Sequence, residues 1–217
     1  MSNEMNGAES LVRTLLAGGV DVCFTNPGTS EMHFVAALDK IPGMRCILGL
    51  FEGVVTGAAD GYYRMADKPA STLLHLGPGL ANGLANLHNA KKANVGIVNI
   101  VGEHATHHIA HDAPLTSDIA GGAAPMAHWG KSSASARTLA ADGALAIAAA
   151  RQTPGQIATL ILPADTAWGM ADGIAEVAPR TPPGKVSEVA VQAAAAMLRG
   201  GQRASLLLGV NRWWKAM

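Results

Sequence analysis

Short apolar runs alternate with stretches of helical periodicity from residue 8 to about residue 162. This alternation predicts successive βα units around a mostly parallel sheet. Because the apolar runs are almost uninterrupted, we expect helices on both faces of the sheet, which is a three-layer αβα sandwich of the α/β class. The predicted elements in chain order are helix 8–17, strand 20–25, helix 31–38, strand 46–50, helix 52–65, strand 71–76, helix 80–93, strand 95–101, helix 140–151 and strand 157–162.

Two regions interrupt or follow this pattern. Residues 103–131 are rich in His, Gly and Pro, which predicts mostly loop with short helical pieces. Residues 169–184 are rich in proline and glycine and are predicted to be a linker. The predicted domains are therefore 1–168, and an incomplete one over 185–217 with a helix at 186–199 and a strand at 204–208.

Composition narrows the function classes. The 217 residues are 49% hydrophobic, 15% charged and 4% aromatic, with 16 basic and 16 acidic side chains. Without a basic excess, nucleic acid and membrane surfaces are poor partners. Cys23 and Cys46 lie in apolar, strand-like runs, which predicts two buried free thiols. With no export signal or disulfide framework in view, we expect a cytoplasmic protein.

Ligands of open α/β sheets bind beyond the carboxyl ends of the strands, which directs attention to residues 25–30, Glu52, 75–79 and 103–111. Glu52 begins a helix, where a carboxylate is stabilised by the helix dipole without any catalytic role. A functional interpretation rests on apolar neighbours that would surround the carboxyl group and favour its neutral form, namely Leu48, Leu50, Phe51, Val54 and Val55.

Glycine-rich sequence follows the strand that ends near His75. Backbone amides of such a turn could bind a phosphate. The glycines at 77, 79 and 83 miss the Gly-x-Gly-x-x-Gly spacing by one residue, and Glu103 occupies the expected acidic position, so a nicotinamide dinucleotide domain stays an alternative. No Gly-Lys-Ser/Thr sequence follows, which excludes a nucleoside triphosphate loop. His75 itself could be an ordinary core histidine.

Four histidines have the spacing of a helical metal site. His104, His107, His108 and His111 stand at i, i+3, i+4 and i+7, beside acidic residues 103 and 112. Their loop-like surroundings and the lack of thiolates argue against metal, and we expect no metal site in this chain.

Three sequence blocks resemble the pyrimidine-binding domain shared by benzoylformate decarboxylase, acetolactate synthase and related thiamine diphosphate enzymes. They are Phe24 to Glu31, Leu50 to Arg64 with its Ala-Asp-Gly-Tyr, and His75 to Asn82. The resemblance runs over about residues 5–165. It implies thiamine diphosphate as cofactor and a 2-keto acid as substrate.

The resemblance also implies roles for single residues. The glutamate matching Glu52 hydrogen-bonds the aminopyrimidine ring and promotes loss of the thiazolium C2 proton. His75 matches a catalytic histidine, and Thr29 with Ser30 matches substrate-binding positions. For cofactor binding the matched residues are Glu52, Gly28, Gly79 and Asn82.

Some features leave the reaction open. Gly77-Pro78-Gly79 is more similar to the synthases, whereas His75 is more similar to the decarboxylase. The family's diphosphate and Mg²⁺ are held by a second α/β domain that is not found here, so we expect a truncated form that is inactive alone. The implied assembly is a homodimer or tetramer. The alternative is a noncatalytic module that pairs with a chain supplying the diphosphate-binding domain.

Overall fold

The computed structural model of the protein describes residues 5–182 and 184–206. Its strands are β1 (Met5–Asn6), β2 (Val22–Asn26), β3 (Arg45–Leu48), β4 (Ala70–Leu74), β5 (Ile97–Glu103), β6 (Trp129–Ser132), β7 (Ile157–Pro163) and β8 (Met170–Ala171). Its α-helices are α1 (Gly7–Ala17), α2 (Met32–Lys40), α3 (Glu52–Ala66), α4 (Leu76–Lys92), α5 (Ile119–Ala123), α6 (Ala136–Ala150), α7 (Ala164–Trp168) and α8 (Glu188–Arg199). Two 3₁₀ helices, η1 (Thr29–Glu31) and η2 (Ile109–His111), complete the described elements.

Six strands form one sheet in the order β3-β2-β4-β5-β7-β6, and every neighbouring pair is parallel. The short strands β1 and β8 pair antiparallel, apart from this sheet. Parallel neighbours require crossover connections, which the helices between the strands supply. As a result, the carboxyl ends of all six strands meet at one edge of the sheet.

Each face of the sheet carries its own apolar core. On one face Leu11 of α1, Phe34 of α2 and Ile147 of α6 belong to one buried cluster. On the other face Val55 of α3 and Leu87 of α4 belong to a second. The predicted three-layer αβα sandwich with a mostly parallel sheet is therefore confirmed.

Two predicted helix starts are too late in the sequence. Strand β4 ends at Leu74 and α4 begins at Leu76, so the predicted glycine-rich turn is the first turn of the helix. Proline is tolerated in a first turn, where its missing N–H has no intrahelical acceptor, so Pro78 does not delay the helix. Helix α6 begins at Ala136 because the Ser135 hydroxyl accepts from the Thr138 amide as an N-cap.

The edge strands differ most from the prediction. Strand β6 lies in the region predicted as mostly loop, although η2 and α5 confirm its short helical pieces. Strand β3 forms the other edge, and there the prediction of a buried thiol is wrong, since Cys46 is exposed. Cys23 is buried as predicted, and burial raises its pKa to about 12. An edge strand has only one neighbour, so part of its surface stays open.

The chain divides into two compact units, Met1–Arg180 and Thr181–Met217. Part of the predicted linker belongs to the first unit, where Gly173 accepts a hydrogen bond from Ser10 and the Ala175 amide donates to Thr14 Oγ1 at 3.2 Å. In the second unit α8 confirms the predicted helix. The predicted strand is absent over residues 204–206, and its last two residues lie outside the described ones. No helix in the described ranges is long and apolar enough to cross a membrane.

Candidate functional site

The predicted site residues follow β3, β2 and β4, which are consecutive in the sheet. Glu52 comes after β3, Gly28 after β2 and His75 after β4. Because all three strands are parallel, these residues lie at the same edge. The fold thus brings together residues that are far apart in sequence.

Glu52 is the first residue of α3, and its side chain is partly exposed. Its Oε2 accepts a hydrogen bond of 3.0 Å from Asn82 Nδ2 on α4. Its Oε1 has no hydrogen-bond partner among the described residues and lies 3.2 Å from where a Cβ on Gly79 would stand. One carboxylate oxygen is therefore held in place, and the other faces space that Gly79 leaves open.

Polar contacts between α3 and α4 support this arrangement. The Thr56 hydroxyl donates to the Gly83 carbonyl at 3.0 Å, and Asn86 Nδ2 donates to the Gly53 carbonyl at 2.7 Å. These bonds join the first two turns of α3 to α4 at the level of Glu52. They explain why a side chain on one helix can orient a carboxylate on the other.

The predicted apolar surroundings of Glu52 are wrong in this chain. Leu48, Leu50, Phe51 and Val54 are exposed to 65%, 90%, 48% and 60%, and of the five predicted neighbours only Val55 is buried. The reason is that β3 is a sheet edge and that the chain after it runs along the surface. An exposed apolar patch therefore borders the carboxylate instead of enclosing it.

His75 is paired with a buried carboxylate. Glu31 is fully buried, and its Oε2 lies 2.7 Å from His75 Nδ1 and accepts from the Gly28 amide at 2.7 Å. A carboxylate at this distance places the ring proton on Nδ1. His75 Nε2, which has no partner among the described residues, is then the nitrogen available for proton transfer.

Gly28 is required by this pairing. A Cβ at position 28 would overlap the imidazole ring of His75. Leu76, next to His75, has a φ of 53°. This left-handed conformation costs a leucine about 1 to 2 kcal/mol. The chain thus accepts local backbone strain beside His75, as is common at functional sites.

Thr29 and Ser30, the predicted substrate-binding residues, lie in η1 immediately after Gly28. Thr29 is exposed and Ser30 is partly exposed. Their position beside the Gly28–His75 contact puts both hydroxyls near the same edge of the sheet. All seven predicted site residues therefore belong to two groups, one around Glu52 and one around His75, and Gly79 contacts both.

Glu31 is the site residue that the sequence interpretation missed. The hydrophobic periodicity of the sequence around Glu31 indicated a helix start. The Gly-x-x-Glu spacing, in which the Glu31 carboxylate accepts from the Gly28 amide, fits that interpretation. The Glu31 Oε1 atom is buried without a hydrogen-bond partner in the described part of the chain, and it lies against Gly102 of β5, where a Cβ would overlap it. A glycine near the end of the apolar run of β5 was the only available sequence signal, and it does not point to Glu31 by itself.

Glu103 ends β5 beside this pair. Burial raises the pKa of its carboxyl group, and the charge of Glu31 adds to the rise, although the His104 amide donates to Oε1 and opposes it. Its ionised form is therefore disfavoured in the folded protein.

We expect Glu103→Gln to increase the free energy of unfolding more at pH 7 than at pH 4. The folded protein retains the Glu103 proton at pH values where the unfolded chain has released it. Wild-type stability therefore falls as the pH rises through the ordinary value of 4.5 and up to the raised one. Urea unfolding at the two pH values measures the difference, with the exposed Glu176→Gln as control. An equal effect of Glu103→Gln at both pH values would contradict the assignment.

The four histidines that follow β5 lie in a loop, a turn and η2. The rings of His104 and His108, and those of His108 and His111, have centroids 5.5 Å apart. Within residues 5–182 and 184–206, no three His, Cys, Asp or Glu side chains are placed to hold a metal ion. The segment is a loop and a turn followed by η2, in agreement with the loop predicted for residues 103–131, so the four histidines do not share one face of an α-helix.

The near match to a dinucleotide motif has a structural explanation. A Cβ at Gly77 would overlap Ser117, and one at Gly83 would lie 2.9 Å from Thr56 Cγ2. These two glycines permit close packing within the chain. They provide no support for the nicotinamide alternative.

Known proteins are similar to this chain in sequence. Residues 5–121 match the family described as thiamine pyrophosphate enzyme, N-terminal TPP binding domain. The chain is 56% identical over 205 residues to IlvX of Mycobacterium tuberculosis, a protein named as an acetolactate synthase large subunit, over 94% of this chain and 39% of that protein. It is 32% identical over 190 residues to benzoylformate decarboxylase of Pseudomonas aeruginosa, over 86% of this chain and 35% of that protein.

A solved structure supports the fold. The thiamine diphosphate-dependent 4-hydroxybenzoylformate decarboxylase of Rhodococcus jostii RHA1 superposes with a TM-score of 0.80 at 22% identity, over 90% of this chain and 38% of that chain. The chain therefore spans less than two fifths of the length of each of these three proteins.

Proposed function

Because the chain belongs to the thiamine pyrophosphate enzyme family through its N-terminal TPP binding domain, we propose that Glu52, Gly79 and Asn82 receive the aminopyrimidine ring of thiamine diphosphate. The observation that carries this proposal is the Glu52 carboxylate, with Oε2 held by Asn82 and Oε1 facing open space at Gly79. A free, oriented carboxylate oxygen is a suitable partner for a ring nitrogen that gains or loses a proton.

The residues present fit that cofactor. Any side chain at position 79 would occupy the space beside Glu52 Oε1, so its absence leaves room for a planar ring. When bound, thiamine diphosphate supplies an electron sink for cleavage next to a carbonyl group. Glu52 is proposed to hold or release a proton at Oε1, and Asn82 to keep the carboxylate from rotating away.

His75 is proposed as the proton donor or acceptor for the substrate. Glu31 fixes its Nδ1, so transfer takes place at Nε2. Gly28 is proposed to serve the site by allowing this ring position, in addition to the cofactor contact implied by the family resemblance. Thr29 and Ser30, whose hydroxyls follow Gly28, are proposed to hydrogen-bond the substrate.

The proposed substrates are 2-keto acids. The names of the relatives point to two reactions, acetolactate synthesis and decarboxylation of benzoylformate. Mg²⁺ and the cofactor's diphosphate are proposed to bind residues outside the matched region, in line with the share of the relatives that the chain spans. The proposed assembly is a homodimer or a homotetramer. The alternative is a complex with a separate chain that supplies the diphosphate-binding domain.

The remaining parts are assigned in the same way. Residues 185–217 are proposed to begin a central domain, of which α8 is the described helix. The two cysteines in the described part are free, which agrees with a cytoplasmic location.

Calorimetry tests the division of the site. We expect the 217-residue chain to bind thiamine diphosphate with Mg²⁺ weakly at best, because only the pyrimidine side is present. Adding the unmatched carboxyl-terminal portion of the Mycobacterium tuberculosis relative as a separate polypeptide should tighten binding. Tight binding and turnover by the isolated chain would refute the assignment of diphosphate and Mg²⁺ to another domain.

A further inference from the structure

An open cavity of about 340 Å³ lies between α5 and the edge strand β6, at the side of the sheet opposite to β3. It is lined by Gly130 and Ser132 of β6, by Thr159 and Ile161 of β7, and by alanines of α5 and of the turn that follows it. Its volume is at the lower end of the roughly 300 to 1,000 Å³ that is typical of small-molecule sites.

Gly130 and the short side chains of α5 keep this cavity open. A Cβ at position 130 would have only the Thr159 carbonyl oxygen within 4 Å, at 3.9 Å. Helix α5 has five residues, and the alanines that it turns toward the cavity extend no further than a methyl group. The space beside β6 is therefore left free by the chain, although interiors are normally close-packed.

The polar side chains that line the cavity can donate hydrogen bonds that the chain does not accept. The Ser132 hydroxyl has no hydrogen-bond partner within residues 5–182 and 184–206. The Thr159 hydroxyl accepts from Asn99 Nδ2 at 3.1 Å, and its own proton has no acceptor in these ranges. His128 Nδ1 accepts from the Ile157 amide at 3.0 Å, so the neutral ring carries its proton on Nε2.

Lys91 adds positive charge beside the cavity. Its Nζ donates to the carbonyl groups of Pro125 at 2.8 Å and of Ala127, a lining residue, at 3.2 Å. An ammonium group has three donors, so one remains. Within the described ranges no carboxylate lies at salt-bridge distance from Lys91. Burial and the charge of Lys91 lower the pKa of His128, which shows that this charge acts on the lining residues.

Acidic side chains are absent from the lining of the cavity. Lys131, which also lines it, is paired with Asp142 on α6 at 2.6 Å, so its charge is already met. The carbonyl groups of Ala120 and Ala123 accept backbone amides of the same turn. The cavity thus combines free donors and the charge of Lys91 with walls that are largely apolar.

We propose that this cavity binds a small monocarboxylate with a compact apolar body. A carboxylate accepts hydrogen bonds through two oxygens and donates none, which complements the hydroxyls of Ser132 and Thr159, the His128 Nε2 proton and the Lys91 charge. The apolar body gains by contact with the alanine methyl groups and Ile161. An inorganic anion matches the donors but not the apolar wall.

This site is separate from the proposed cofactor. Strand β6 is five strands away from β3, which precedes Glu52, and neighbouring strands lie about 4.8 Å apart, so roughly 24 Å separates the two strands. Binding in the cavity therefore needs no thiamine diphosphate, and its success or failure is independent of the function proposed for Glu52.

Calorimetric titration of the 217-residue chain with sodium cyclohexanecarboxylate, in the absence of thiamine diphosphate, tests the site. We expect saturable one-to-one binding and a rise in Tm. Gly130→Val places a side chain suited to strands in the cavity, so it should retain the fold and weaken the apparent Kd by at least about tenfold. Gly184→Val adds the same side chain at an exposed position and should leave Kd unchanged.

Two further comparisons test the charge. Lys91→Gln should weaken Kd by about tenfold, as expected for the loss of one contact to a charged group, whereas Lys92→Gln removes the same charge at the next, exposed position and should bind as the wild type does. Cyclohexanecarboxamide, which has the same ring without the charge, should bind at least about tenfold more weakly than the carboxylate.

Circular dichroism verifies the fold of each variant. If Gly130→Val does not fold, Ser132→Ala decides, since it removes only a hydroxyl group at an exposed position and should weaken binding. The proposal is overturned if the carboxylate does not bind saturably, if the folded cavity variant binds as well as the wild type, or if the amide binds as tightly as the carboxylate. Loss of binding in His75→Gln but not in the cavity variant would place the ligand at the candidate active site and would also overturn it.

Discussion

Glu52→Gln is expected to slow exchange of the C2 proton of bound thiamine diphosphate by about 10²- to 10⁴-fold, the usual contribution of one acid-base group. The amide keeps the shape of the side chain, and its oxygen can still accept from Asn82, so the contact between α3 and α4 survives. What is lost is an oxygen that can carry a proton. Quenched-flow NMR of C2–H exchange measures the effect, with the diphosphate-binding domain supplied as a separate polypeptide.

Asp60→Asn provides the matched control for this experiment. Asp60 lies on the same helix, paired with Arg64 on the surface, about 12 Å along the axis from Glu52. The substitution changes the helix charge by the same amount and should leave exchange unchanged. If Glu52→Gln exchanges as fast as Asp60→Asn, the carboxylate has no part in activation and only stabilises the start of α3.

Buried strands could be predicted from the sequence because both of their faces are covered. Every residue of β5 and β7 is buried, and a nearly continuous apolar run is the direct consequence of that burial. The edge strands β3 and β6 are not covered on both faces. This explains why Cys46 was wrongly predicted to be buried and why β6 was not predicted. The hydrophobic pattern of the sequence therefore predicts the central strands of this sheet better than its edge strands.

The candidate site likewise contains residues that the local sequence predicts and residues whose role depends on distant parts of the chain. Glu52 begins α3 after β3, and Gly79 and Asn82 lie in the first two turns of α4 after β4, so their convergence follows from the parallel topology. The burial of Glu31 depends on Gly102, a residue of another strand far along the chain. No local pattern around Glu31 contains that information. A lone acidic residue at a helix start is therefore ambiguous until its distant neighbours are known.

One polar feature of the core does not depend on the active site. Thr72, Asn99 and Thr159 lie side by side on β4, β5 and β7, and all three are buried. Thr72 Oγ1 donates to Asn99 Oδ1 at 2.7 Å, and Asn99 Nδ2 donates to Thr159 Oγ1 at 3.1 Å. The three side chains satisfy one another across the centre of the sheet.

Asn99→Ala is expected to lower the free energy of unfolding by about 2 to 5 kcal/mol, because it leaves two buried hydroxyls without their partner and opens a small cavity. Urea unfolding measures the loss, and the exposed Asn89→Ala should change stability by less than about 0.5 kcal/mol.

The triple variant T72V/N99L/T159V separates the two causes of that loss. It removes every member of the network and fills the space with hydrocarbon, so its stability should return to within about 1 to 2 kcal/mol of the wild type, since removing both partners of a buried hydrogen bond is nearly neutral. A triple variant at least as unstable as Asn99→Ala would show that Asn99 stabilises the sheet through packing and not through its two hydrogen bonds. Recovery would show that replacing the whole network by apolar side chains changes the free energy of unfolding little, whereas leaving it half satisfied lowers that free energy strongly.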